Sequence, residues 1–213
     1  EYPNPEDLRA FEYSLTLAKK VNGELLIATD PDSDRLAVMC YHNGEYHALT
    51  GNQTGTLLIE YLFSCIKMWI EEFNIDGLRL DVAYCLKESF MRKLREFSNS
   101  VGEDFFLLGE VLFGDYNRIV NDEMLHSCTN YECYKGLYSS FNDMNLFEIA
   151  HSLNRQFGKE GSAIYKGKHL LSFADNHDVI RVASILKEQK HLPLVYALLF
   201  GMPGIPCIYY GSE

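Results

Sequence analysis

GNQTGTLLIEYLFSCIKMWIEEFNIDGLRLD, residues 51–81, changes grammar partway along, and that change decides the fold. Leu58, Tyr61, Leu62, Cys65, Trp69 and Phe73 recur at helical spacing without a break, which predicts one amphipathic helix over roughly 52–73. At 1.5 Å per residue it would be about 33 Å long. Past Asn74 the period drops to two. Leu78 and Leu80 alternate with Arg79 and Asp81, the pattern of a strand with one apolar and one polar face.

Working downstream, short apolar runs alternate with helical stretches. GLRLDVA (77–83) precedes a helix near 87–99, and DFFLLGEV (104–111) and HSCTNYE (126–132) precede one near 145–157. HLLSFADNHD (169–178) is followed by a helix near 192–200 and then by IPCIYYG (205–211). Five candidate strands with helices between most of them predict parallel β/α units. Three of the runs end in acidic residues: Asp81, Glu110, and Asp175 with Asp178. Carboxylates at the C-terminal ends of successive strands are what an active site at the top of a β/α barrel would look like.

Each carboxylate has its own local setting. Asp81 shares a strand face with Arg79, and a neighbouring cation favours the ionised form that a nucleophile needs. Glu110 follows four apolar residues and a glycine, a position where partial burial suits a proton donor. Asp178 follows His177, an acceptor beside a donor. Any one of these could be a strand-end carboxylate capping the next helix. Together, one paired with Arg and one with His, they point to a catalytic site.

With those motifs in place, residues 63–213 resemble the alpha-amylase family of glycoside hydrolases (family 13), nearest its neopullulanase and cyclomaltodextrinase-like branch. DGLRLDVAYCL (76–86) resembles the family's nucleophile strand and LLGEV (107–111) its acid strand. FADNHD (173–178) resembles its third carboxylate motif and GMPGIPCIYYGSE (201–213) its eighth strand. The resemblance implies strands four to eight of a (β/α)8 TIM barrel. It implies Asp81 as nucleophile, Glu110 as acid/base and Asp178 as transition-state stabiliser, with Arg79, His177 and Asn176 contacting substrate. The implied reaction is retaining hydrolysis of α-1,4-glucans or maltodextrins, with no cofactor. Tyr131, Tyr134 and Tyr138 are candidates for stacking on glucose rings, and core packing explains each equally well.

Working upstream, residues 5–20 carry a helical period ended by Asn22-Gly23, and Leu25–Ala28 reads as a short strand. Residues 36–41 and 45–49, joined through His42-Asn43-Gly44, read as a hairpin. Between them TDPDSDR (29–35) sets Asp30, Asp32 and Asp34 at alternate positions, where three carboxylates need water or a hard cation such as Mg²⁺ or Ca²⁺. A calcium EF-hand is excluded, because Arg35 and Tyr41 stand where it needs Gly and Glu. ATDPDSDRLAV (28–38) with GEYHALTGNQTG (44–55) resembles the metal-binding loop and following segment of the phosphoglucomutase/phosphomannomutase family, over residues 1–62. That resemblance implies Mg²⁺ on Asp30, Asp32 and Asp34. The family's phosphoserine loop, sugar-binding loop and C-terminal phosphate-binding loop are not found in the sequence.

The expected organisation is therefore an α/β fragment of a phosphohexomutase at 1–62, followed by part of an amylase-type barrel at 63–213, the two meeting inside one helix. Open first and last strands of such a partial barrel invite self-association. A net charge of −11 argues against nucleic acid or an anionic membrane as partner, while a neutral oligosaccharide is indifferent to it. No apolar run approaches the ~20 residues of a membrane span. Six scattered cysteines without a C-x-x-C pair favour reduced thiols and the cytoplasm.

Overall fold

The computed structural model describes residues 7–29, 36–159 and 163–212. The acidic turn, with Asp30, Asp32 and Asp34, lies outside the described residues. The chain divides into two compact units, Glu1–Asn74 and Ile75–Glu213.

In the first unit a 3-10 turn (Leu8–Phe11) leads into α1 (Glu12–Val21), which Asn22 closes in the left-handed region at φ 55°. The strands β1 (Leu25–Thr29), β2 (Leu36–His42) and β3 (Glu45–Leu49) form an antiparallel sheet in that order. Asn43 and Gly44, at φ 52° and 91°, make the β2–β3 turn, as the Asn-Gly pair predicts. Phe11 and Ala18 bury against Leu26 and Met39 of the sheet.

The long helix α2 (Gly51–Phe73) is present at full length. Thr50 and Gln53 build a capping box: Gln53 N donates to Thr50 Oγ1 at 3.3 Å, and Thr50 N donates to Gln53 Oε1 at 2.9 Å. Leu58, Tyr61, Leu62, Trp69 and Phe73 of the apolar stripe remain exposed, whereas Ile66, one turn past Leu62 at its edge, is buried. Geometry supplies a reason. A helix of 23 residues is about 35 Å long, whereas the longest strand beneath it, at seven residues, reaches about 24 Å.

The second unit contains the five strands read from the sequence: β4 (Gly77–Leu80), β5 (Phe106–Gly109), β6 (Ser127–Cys128), β7 (Leu171–Phe173) and β8 (Ile205–Cys207). β4, β5 and β6 pair in parallel, as do β7 and β8. A parallel bridge between Thr129 and Leu171 links the two groups. Close packing explains two glycines at strand ends. A Cβ on Gly77 would lie 2.3 Å from the Phe106 carbonyl oxygen, and one on Gly109 would lie 2.5 Å from Leu125 Cδ1.

Helices follow the strands. α3 (Glu88–Val101) buries Met91 and Leu94. After β6 come α4 (Tyr131–Asn142) and α5 (Phe147–Phe157), after β7 the single turn α6 (Val182–Ile185), and before β8 the helix α7 (Leu192–Gly201). Leu137, Ile149, Ala174, Val182, Val195 and Leu199 form one core beneath them. The run HSCTNYE departs from expectation: only Ser127 and Cys128 are strand, and α4 already begins at Tyr131.

Candidate active site

Asp81, Glu110 and Asp178 come together at the C-terminal ends of β4, β5 and β7, and the Arg79 guanidinium lies among them. Its Nη1 pairs with Asp81 Oδ1, its Nη2 with Glu110 Oε1 at 2.9 Å, and Asp178 Oδ2 lies 4.0 Å from the same Nη2. Strand alternation accounts for the placement. Arg79 and Asp81 project to one face, while Leu80 is buried on the other.

The carboxylates differ in setting. Glu110 is buried, with 8% of its side chain exposed. Its Oε2 accepts from Val82 N at 2.9 Å, and its backbone is tied to the β4 end through Glu110 N to Leu80 O at 2.8 Å and Ala83 N to Glu110 O at 3.0 Å. Asp81 stands open to solvent with 73% of its side chain exposed, and Asp178 is intermediate at 46%. Val82, between the Asp81 and Glu110 anchors, holds a left-handed backbone at φ 45°, ψ 43°. That conformation is rare for a β-branched residue and turns its N–H onto Glu110.

Beside Asp178, His177 Nε2 lies 3.1 Å from Asp178 Oδ2. Asn176 is engaged at both ends of its amide: Oδ1 accepts from Asp178 N at 2.8 Å, and Nδ2 donates to Tyr131 Oη at 3.0 Å. Burial pushes the Tyr131 hydroxyl above its ordinary pKa; the Asn176 bond opposes this, and the charges of Asp178 and Glu110 add to the rise. The three tyrosines separate. Tyr131 lines a cleft of about 480 Å³ with Asp81, Val82, Glu110, Leu112 and Asp178. Tyr134 stacks on Phe173 at 5.6 Å and meets Tyr138 edge-on at 5.4 Å, and burial pushes its hydroxyl up to about 12. Tyr138 packs against the helical core. Val82 and Leu112 carry no polar signal and escape sequence reading.

Asp175, grouped with Asp178 in the sequence, is not in the cleft. It is buried, accepting from Val182 N at 2.9 Å and Ser212 Oγ at 2.6 Å. A larger hollow of about 610 Å³ lies in the first unit beside Lys19, Met39 and Tyr46 and holds no such cluster. Among the described residues no three or more His, Cys, Asp or Glu side chains are grouped to hold a metal ion.

Acidic side chains gathered at the ends of parallel strands that alternate with helices give the second unit the layout of a β/α-type fold with a carboxylate-lined cleft. Residues 56–213 match the catalytic domain of alpha-amylase, and the chain belongs to the alpha-amylase family of glycoside hydrolases. It is 29% identical over 160 residues to the intracellular maltogenic amylase of Bacillus subtilis, covering 72% of this chain and 26% of the relative. The crystal structure of an Anoxybacillus alpha-amylase superposes with a TM-score of 0.64 at 30% identity, over 78% of this chain and 37% of that one. A shorter segment, 59 residues or 27% of the chain, is 49% identical to a phosphoglucomutase from Staphylococcus aureus, covering 11% of that enzyme. The chain thus spans about a quarter of the length of the maltogenic amylase it matches. No described helix is long and apolar enough to cross a membrane.

Proposed function

We propose that the second unit is strands four to eight of a retaining glycoside hydrolase barrel acting on α-1,4-glucans or maltodextrins, and that the first derives from a phosphohexomutase. One observation carries the hydrolase reading: three carboxylates from three strand ends meet around a single guanidinium. Two carboxylates touching one Arg suit the ~5–5.5 Å spacing of a retaining pair. The name of the maltogenic relative supports a maltodextrin substrate.

In this reading Asp81 attacks the anomeric carbon while Glu110 gives its proton to the departing glycosidic oxygen, leaving a glycosyl ester on Asp81. Glu110, now a carboxylate, takes a proton from water, whose oxygen displaces Asp81 and completes retention. Asp178, oriented by His177 and by Asn176, faces the positive charge that develops on the ring. Arg79, paired with Asp81 Oδ1, holds the attacking carboxylate in place at the mouth of the cleft. Tyr131 closes one side of the cleft against the sugar face.

Turnover in this chain is slow. Asp81 and Asp178 are open to water, so the ring is neither gripped nor desolvated, and misplacement by ~1 Å costs about a hundredfold. The assay is product release from maltotriose and β-cyclodextrin, with Asp81→Asn as blank. We expect activity below ~1 s⁻¹ that the substitution abolishes. Binding without product release would replace the hydrolase with a sugar-binding module, and turnover of glucose-1-phosphate would replace it with a mutase. For the acidic turn, the phosphoglucomutase similarity supports weak Mg²⁺ binding by Asp30, Asp32 and Asp34. Equal calorimetric heats from the wild type and Asp32→Asn would discard that site. Six unpaired thiols support a reducing compartment such as the cytoplasm.

A further inference from the structure

We propose that Asp175, Ser212 and Arg181 form a clasp that positions Asp178, fastening the loop after β7 to the segment after β8. This rests on the reading of Asp178 as a member of the catalytic set.

The loop from Asp175 to Val182 carries Asn176, His177 and Asp178, and both its ends converge on one buried carboxylate. Asp175 Oδ2 accepts from Val182 N at 2.9 Å, which closes the loop on itself. Asp175 Oδ1 accepts from Ser212 Oγ at 2.6 Å, which fastens the closed loop to a residue 37 positions away. Arg181, from inside the same loop, donates through Nη1 to Ser212 Oγ at 3.0 Å and to the Tyr210 carbonyl at 2.5 Å. Its guanidinium lies over the Tyr209 and Tyr210 rings, at 4.5 and 5.0 Å from their centroids.

Asp175 and Ser212 are both almost wholly shielded from water. A buried carboxylate is costly unless its oxygens are satisfied, and here one oxygen is taken by the far end of the loop and the other by the segment after β8. A carboxylate that only capped α6 would need Val182 alone. The bond to Ser212 crosses to another strand end and leaves the loop little freedom to slide. Asp178 sits three residues from the clasp, and its own N–H is held by Asn176. Its carboxylate is therefore fixed relative to β7 and β8 together. None of the three clasp residues lines the cleft, so they act through Asp178 as positioning residues.

Ser212→Ala, Ser212→Thr and Asp175→Asn test the clasp, with two readouts. The first is hydrogen exchange of the Val182 amide, which needs no turnover. We expect Ser212→Ala and Asp175→Asn to speed it at least about tenfold while α3 amides are unchanged, and Ser212→Thr to restore protection. The second is maltotriose kinetics: kcat falling about ten- to a hundredfold in Ser212→Ala, with KM within about threefold, and recovering in Ser212→Thr. Unchanged Val182 exchange in both disruptive variants overturns the clasp. So does a kcat within twofold of an active wild type. If the wild type has no turnover, the hydrolase reading falls and the exchange data alone decide the clasp. If Asp175→Asn does not fold, Ser212→Ala carries the test.

Discussion

His126 is held neutral by its surroundings. Burial disfavours the imidazolium, and the nearby Arg95 charge adds to the effect, so the folded ring titrates below the ordinary 6.5. The geometry agrees, since Leu107 N donates to His126 Nδ1 at 2.9 Å, which requires an unprotonated nitrogen there. As pH falls through 6.5 the unfolded chain takes up a proton that the folded chain resists, so this contribution is intact above 6.5 and lost below it. Melting temperature should drop between about pH 7.5 and about pH 5.5, and His126→Gln should flatten that difference. Equal slopes in both proteins would remove His126 from the account. The thiols grade in the same way. Burial pushes Cys128 and Cys133 up to about 12, while Cys85 is exposed. A thiol-exchange reagent at neutral pH should label Cys85 first and reach Cys128 and Cys133 only on unfolding. At this scale the sequence was readable where chemistry is local. Arg79 beside Asp81 and His177 beside Asp178 are neighbours in the chain and meet in space. Asp175 and Asp178 looked alike because what separates them, Ser212, lies far along the chain.

Strands announced themselves more clearly than helices. Each apolar run that ended in a carboxylate became a strand, of four, four and three residues in turn. Helix α4 was missed although Tyr134, Leu137, Tyr138 and Phe141 recur at helical spacing, because the strand-like run HSCTNYE extends into its first turn; Cys133, Gly136, Ser139 and Ser140 are buried with Leu137. Gly136 is also what lets α4 approach α5. A Cβ there would lie 3.0 Å from Ile149 Cα and 3.1 Å from its N. Alanine normally gains about 1 kcal/mol over glycine in a helix, but overpacking costs about 1–3 kcal/mol. Gly136→Ala should therefore lower stability to urea by up to about 2 kcal/mol. A stabilised variant would mean that the two helices part without cost.

Across the whole chain, apolar surface and sheet edges remain open. Among the described residues β4 pairs only with β5 and β8 only with β7. Leu194, Phe200, Ile208 and Tyr210 are exposed in the second unit, and Leu57, Tyr61 and Phe73 in the first. The net charge of −11 opposes association at low ionic strength, and salt screens that repulsion over about 10 Å at 0.1 M. Light scattering should then find a mass that rises with both concentration and salt, and Ile208→Lys, beside an open edge, should reduce it. A strictly monomeric chain at about 100 μM and 0.5 M salt would contradict this. Sequence pattern supplied the order of the strands here. It did not supply which apolar faces are covered, because the α2 stripe reads the same whether or not a partner lies over it.

Val82 has a bearing on the history of the chain. A valine in the left-handed region costs on the order of 1–3 kcal/mol, and its side chain is partly exposed, so little burial compensates. Asparagine tolerates that backbone far better, and Val82→Asn should raise the melting temperature while leaving the Val82 N–H on Glu110. Drift under selection for folding alone would therefore move this position away from valine. Its retention in descendants of this chain would record selection acting on the cleft, and its replacement by asparagine or glycine would record that such selection had lapsed.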